Sequence, residues 1–159
     1  MDQAHTINNQ TLQGKSVLLI ISGGIAAYKS LELIRLLKKS GAQVRAILTQ
    51  SGEQFVTPLS VSALCEEQVY TDLWSLKDEA QMGHIRLSRE ADLIIIAPAS
   101  ADIMAKMASG IADNLATTTL LANFDTPIMI APAMNHAMWA HPATQETVQT
   151  LLSRGVPLI

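Results

Sequence analysis

The chain has 159 residues, of which 48% are hydrophobic and 4% aromatic, and a net charge of −3. That length and apolar content suffice for one domain whose continuous core needs neither disulfides nor a structural metal. The acidic balance and the scarcity of rings exclude a nucleic-acid partner; the lone Cys65, the lack of a signal-peptide core after Met1 and the absence of any run near the roughly 20 apolar residues of a span point to a reducing cytoplasm and no membrane.

In chain order, residues 1–13 are polar and aperiodic and read as a disordered leader, with His5 inert in it. Val17 to Ile21 is an unbroken β-branched and leucine run of the kind buried on both faces of a parallel sheet. Ser22, Gly23 and Gly24 turn it into a helix from Ile25 to about Ser40, which Gly41 stops. A second strand is expected over Gln43 to Leu48, then a short helix from Thr57 to about Cys65 with Pro58 in its first turn. Between Glu66 and Arg89 the periodicity is weak. Leu93 to Ala97 is a third strand; helices follow at about Ala101 to Ser109 and from Leu115 to Asn123, the second with Asp113 and Asn114 available as caps. Strand Ile128 to Ala131 and a helix from Pro142 to Arg154, stopped by Gly155, come next. Pro157, Leu158 and Ile159 read as the start of a further strand, so the chain is expected to be cut from a longer polypeptide. The alternation predicts an α/β fold: a Rossmann-like, doubly wound parallel sheet of the flavodoxin-like three-layer kind, one domain over residues 14–159.

Two strand ends carry matching chemistry. Ile128 to Ala131 empties into PAMNHAMW (132–139), small residues ending in one amide, and Leu93 to Ala97 runs into Pro98, Ala99, Ser100, Ala101 and Asp102. In an open α/β sheet ligands bind where strand ends give way to such loops, and small side chains admit a flat ligand to the backbone. The first strand-to-helix turn narrows the choice. It fails as a triphosphate loop, because Tyr28 stands where GxxxxGK[ST] needs its second glycine, and it fails as GxGxxG, with no acid after Leu48 and Thr49 to grip a ribose. A tight turn at a helix amino terminus with the hydroxyls of Ser22, Thr49 and Ser51 nearby suits a single phosphate, hence flavin mononucleotide. The alternative is an ordinary turn in which Gly23 and Gly24 only permit positive φ.

Single residues are ambiguous. His84, after Gly83, is either a solvated or structural histidine or a general base. Asn135 is either a turn or cap residue or a ligand. His136 and His141 have no metal-ligand spacing, so no metal is expected. Cys65 reads as a packed hydrophobe, Met104 and Met107 as core, and the stretch from Lys106 through Gly110 to Asp113, Asn114 and Leu115 as a helix, its stop and the next cap, or as part of a site.

The strings SGGIAAYK (22–29), GHI (83–85), APASAD (97–102), KMASGIADNL (106–115) and PAMNHAMW (132–139), in that order from about Lys15 to Ile159, resemble the homo-oligomeric flavin-containing cysteine decarboxylases. Among these the chain is similar to the phosphopantothenoylcysteine decarboxylase half of the bacterial bifunctional coenzyme A biosynthesis flavoproteins. The resemblance implies FMN, held by Ser22, Gly23, Gly24, Ile25, Thr49, Ser51, Pro98, Ala99, Ser100 and Asp102, with Asp102 standing where another pattern of the family has Asn. It implies that His84 and Asn135 are catalytic, Asn135 on the substrate carboxylate with Ala133 and Met134 in the same loop. It further implies a homotrimer or dodecamer with shared active sites, a ligase domain beyond Ile159, and a substrate-covering loop there whose cysteine protonates the product, so that this piece alone would complete only the oxidative half-reaction.

The implied substrate is 4′-phosphopantothenoylcysteine and the product 4′-phosphopantetheine. Removing hydride from the β-carbon and a proton from the thiol gives a thioaldehyde; the carboxylate, now β to C=S, leaves as carbon dioxide to give an enethiolate, and hydride and a proton then return. The redox chemistry is the cofactor's and the protein supplies orientation and electrostatics. Peptide cysteine decarboxylases share PxMNxxMW, flavin prenyltransferases carry another loop there, and a non-catalytic flavin-binding or regulatory protein is the alternative that presence of both His84 and Asn135 argues against.

Overall fold

Apolar runs without alternation are expected to be buried on both faces, and Val17–Ile21 and Ile94–Ala99 of the computed structural model are. It describes residues 11–71 and 80–159, with the backbone alone at Ala80, Gln81, Met82 and His84. Four strands, β1 (Ser16–Ile21), β2 (Gln43–Leu48), β3 (Leu93–Ala99) and β4 (Ile128–Pro132), pair in the order β2-β1-β3-β4, every pairing parallel. Side chains alternate across β1: Leu18 and Ile20 enter one core with Ile47, Ile94, Ile96 and Ile130, whereas Val17, Leu19 and Ile21 enter another with Val44, Ala46, Leu48 and Ile95.

Helices α1 (Ala27–Lys39) and α2 (Pro58–Cys65) cover the second face, through Ala27, Ile34, Val61 and Cys65. On the first face lie α3 (Ala80–Arg89), α4 (Ala101–Ser109), α5 (Leu115–Ala122) and α7 (Pro142–Ser153), through residues such as Leu87, Met104, Leu120 and Leu151. The remaining helix, α6 (His136–Ala140), has no fully buried residue and reaches the first core only through half-buried Trp139. This is the doubly wound, flavodoxin-like architecture expected. Its strand order reverses between β1 and β3, which puts the ligand crevice at the carboxyl ends of those two strands.

Several boundaries differ from expectation for local reasons. Leu12, expected in the leader, is instead part of the fold: its amide donates to the Ser40 carbonyl at 2.9 Å and its side chain packs on the α1–α2 core, while residues 1–10, His5 included, lie outside the described residues. Helix α1 starts at Ala27, two residues after Ile25, because residues 23–26 form a turn that the Ala27 amide closes on Gly24 O at 3.0 Å. In the weakly patterned stretch α3 forms despite Gly83, anchored by buried Leu87 and Ser88. The loop after β4 is short, because Asn135 caps a helix at once. Near the end Ile130 and Leu158 form an isolated parallel bridge, with the Ile130 amide on Pro157 O at 3.1 Å and the Ile159 amide on Ile130 O at 2.8 Å. Among the described residues no helix is long and apolar enough to cross a membrane.

Candidate functional site

Where β1 ends, a serine is spent on structure. The buried Ser22 hydroxyl donates to Pro98 O at 2.6 Å and accepts from the Ser100 amide at 2.9 Å, joining the exits of β1 and β3. One turn into α1 the buried Ser30 hydroxyl donates to Ala97 O at 2.6 Å, which commits that side chain to the sheet. Beside this clamp the loops after β1 and β2 touch. A Cβ on Gly23 would lie 2.5 Å from Ser51 Cβ, and one on Gly52 would lie 2.7 Å from both Ile21 O and Leu48 Cδ1. Only glycine allows that approach. Thr49 holds the second loop by accepting the Gly52 amide at 3.0 Å on Oγ1, which leaves its hydroxyl hydrogen free to donate.

The amino end of α1 has no side-chain cap, and among the described residues the amides of Gly23, Gly24, Ile25 and Ala26 meet no acceptor. Unspent donors at a positive helix end suit an anion, and two of these four, those of Gly23 and Gly24, belong to residues in the wall of a cavity of about 940 Å³, at the upper end of the range for small-molecule sites. Ser22, Gly23, Gly24, Thr49 and Ser51 line it at this corner; Ile47, Ile103, Leu115 and Ala116 give it apolar wall; Asp102, Lys106, Asp113 and Asn114 contribute from α4 and the start of α5.

That last group is built from two caps and an ion cluster. Ser100 caps α4 by accepting the Ile103 amide, and Asn114 caps α5 in a reciprocal capping box with Thr117. Gly110, at φ +67°, ends α4 in the left-handed conformation and so turns the chain back toward the cavity. Lys106 Nζ then lies 3.2 Å from Asp102 Oδ2 and 3.2 Å from Asp113 Oδ2. Burial pushes the ammonium's pKa down, but its hydrogen bonds to Asp113 and Asp102 outweigh that and leave it raised, so Lys106 stays protonated.

Of the residues expected at a cofactor, Ser22, Gly23, Gly24, Thr49, Ser51, Ser100 and Asp102 line this one cavity. Ile25, 77% exposed, does not line it, while Pro98 and Ala99 support the rim through their carbonyls, Ala99 O accepting the Ala133 amide at 3.0 Å. The substrate-side residues stand elsewhere: Ala133, Met134 and Asn135 follow β4 and do not line the cavity, Met134 packs on the core, and Asn135 is exposed. Asn135 Oδ1 accepts the Met138 amide at 2.8 Å as the cap of α6. His84 sits on α3, and its side chain lies outside the described residues. Sequence reasoning missed Gly52 and left Lys106, Asp113 and Asn114 undecided; they are both helix punctuation and cavity wall.

The other candidates are structural. His141 caps α7, Nδ1 accepting the Ala143 amide at 3.1 Å. Cys65 is buried, which pushes its thiol up to about 11 and removes it as a nucleophile at neutral pH. Among the described residues no group of three His, Cys, Asp or Glu side chains can hold a metal ion.

The comparisons with known proteins agree with this geometry. The model of the family described as Flavoprotein matches residues 5–159. The chain is 48% identical over 149 residues to the coenzyme A biosynthesis bifunctional protein CoaBC of Vibrio vulnificus, covering 94% of this chain and 37% of that protein, so it spans little more than a third of the relative's length. Among solved structures it is similar to the FMN-dependent cysteine decarboxylase SpaF (TM-score 0.87, 31% identity, 93% of this chain and 85% of that one). It is also similar to a cysteine-to-serine mutant of a PPC decarboxylase complexed with pantothenoylaminoethenethiol (TM-score 0.81, 37% identity, 91% and 81%).

Proposed function

Because the chain belongs to the flavoprotein family, we propose that it binds FMN in the cavity at β1 and β2 and decarboxylates 4′-phosphopantothenoylcysteine to 4′-phosphopantetheine, a step of coenzyme A biosynthesis. The observation that carries this is the uncapped start of α1, with four unspent amides beside the hydroxyls of Thr49 and Ser51, opening into a cavity large enough for one cofactor. One phosphate monoester satisfies those donors without the further anchors a dinucleotide needs.

Bound there, FMN supplies the two-electron acceptor and donor without which the cysteine carboxylate has no sink for its electrons. The chain's own residues do the rest. Asn135 has its Oδ1 committed to α6, which leaves the Nδ2 hydrogens as the only polar face of that amide directed outward, a donor for the substrate carboxylate. His84 takes the thiol proton, a role worth on the order of 10²- to 10⁴-fold in rate for a general base. Asn135 stands apart from the cavity wall of its own chain, and Ile25, Tyr28 and Leu59 are exposed on the α1–α2 face. Both features favour a homo-oligomer, a trimer or a dodecamer, in which a neighbour completes the site.

The test is the absorption spectrum of the purified protein together with anaerobic carbon dioxide release from 4′-phosphopantothenoylcysteine, for the wild type, His84→Asn and Asn135→Asp. All three should carry flavin bands while the variants lose release by about 10²-fold or more. A colourless wild type that takes up no FMN, or variants that release normally, overturns the assignment. A peptide ending in cysteine, run beside it, should release little.

A further inference from the structure

Lys106 is the one cation among the described residues that line the cavity, where Glu53, Asp102 and Asp113 are the anions. Its side chain is 21% exposed, while Asp102 and Asp113 are 72% and 53% exposed, so the ammonium is the inner member of the cluster. Asp102 and Lys106 are one helical turn apart on α4; Asp113 belongs to the loop before α5, where its Oδ1 also takes the Thr117 hydroxyl at 3.4 Å. The three side chains therefore fasten α4 to the start of α5, and Lys106 also lines a second, largely apolar cavity of about 190 Å³. Two carboxylates face one ammonium, so the cluster keeps one net negative charge.

With the phosphate at the amino end of α1, the rest of an FMN molecule has only the remainder of the cavity to occupy, and Asp102, Lys106, Asp113 and Asn114 belong to that remainder. From this, which rests on the flavin reading above, we infer that Lys106 is a positioning residue that holds the two aspartates beside the ring system, and that the resulting charge sets the balance between oxidised and reduced flavin. Two-electron reduction adds negative charge to the ring, and a fixed net anion nearby opposes it. The reduced flavin is thereby kept a ready hydride donor, as a reaction that must return the hydride it removed requires.

The two signs of charge separate this from a merely structural role. Lys106→Met removes the positive member and should lower the affinity for reduced relative to oxidised FMN by about tenfold, a fall of about 30 mV in the two-electron potential. Asp102→Asn removes a negative member and should move the potential up. Lys106→Arg should restore it toward the wild-type value. Potentials are read by dye equilibration on the flavin-loaded protein, and FMN affinity of the apoprotein by fluorescence quenching. Shifts of Lys106→Met and Asp102→Asn in the same direction, or no shift in either while both still bind FMN, overturn the inference and leave the decarboxylase reading standing. A wild-type apoprotein that takes up no FMN removes both. If Lys106→Met does not fold, the upward shift in Asp102→Asn together with its absence in Glu32→Gln, a charge change on the exposed side of α1, decides the matter.

Discussion

The rim of the sheet is finished at β1 and β2 and left open at β4. At the first, backbone touches backbone through Gly23 and Gly52, Ser22 clamps two strand ends, and a cavity exists within one chain. At the second, Asn135 stands exposed as the cap of a five-residue helix with no fully buried residue. The contrast separates two requirements. A permanently held cofactor needs a site that does not move, whereas a substrate that must enter and leave needs an accessible surface.

Substitutions at the two places should therefore fail differently. The largest effect is expected at Gly23→Ala, whose new Cβ meets Ser51 at 2.5 Å: FMN affinity should fall at least a hundredfold, with about 1 to 3 kcal/mol of overpacking destabilisation, read by flavin titration and urea unfolding. Ser22→Ala leaves the Ser100 amide without its partner and the Pro98 carbonyl with only the Ser22 amide, at 3.3 Å; it should cost about 1 to 3 kcal/mol in unfolding free energy, and equality with wild type would show that the clamp is not needed. At the open rim the comparison sharpens: Asn135→Asp keeps an acceptor for the Met138 amide while Asn135→Ala loses a cap worth about 1 kcal/mol. Only the alanine variant should speed amide exchange in α6, yet neither should weaken FMN binding.

The smallest effect concerns the helix that carries His84. Glu90 at the end of α3 is held by Arg45 of β2 at 2.8 Å and by Arg86 at 3.2 Å. Hydrogen bonds from Arg45, then Arg86, keep its carboxyl below the usual 4.5. A carboxylate so depressed stabilises the fold above its unfolded pKa, and that contribution is lost as the pH falls from about 4.5 through the lower folded value. The pair is partly exposed, so only a few tenths of a kcal/mol are at stake, and Glu90→Gln should flatten the acid limb of the stability curve by that amount.

Much of this was legible in the sequence because it depends on local pattern. Val17–Ile21 and Leu93–Ala97 can be buried on both faces only in a parallel sheet, and Thr57 with Pro58 starts a helix in any context. Long-range matters were not legible. Nothing near Gly52 announces that Ile21 O will lie 2.7 Å from its missing Cβ, and Ser22 reads equally well as a phosphate ligand until Pro98 arrives from 76 residues away. Lys106, Asp113 and Asn114 read as helix punctuation because they are; their second role depends on Gly110 folding α5 back against α4. Asn135 shows the reverse: its capping role is local and its free Nδ2 follows from it.

The Ser22 and Ser30 hydroxyls, both buried, fix the same short stretch, the carbonyls of Ala97 and Pro98. A ligand arriving above that stretch finds its seat already shaped and has little chain left to order. Uptake of FMN by the apoprotein should accordingly proceed in one exponential phase whose rate rises in proportion to flavin concentration without reaching a plateau, the kinetic mark of docking onto a rigid surface rather than of folding around a guest.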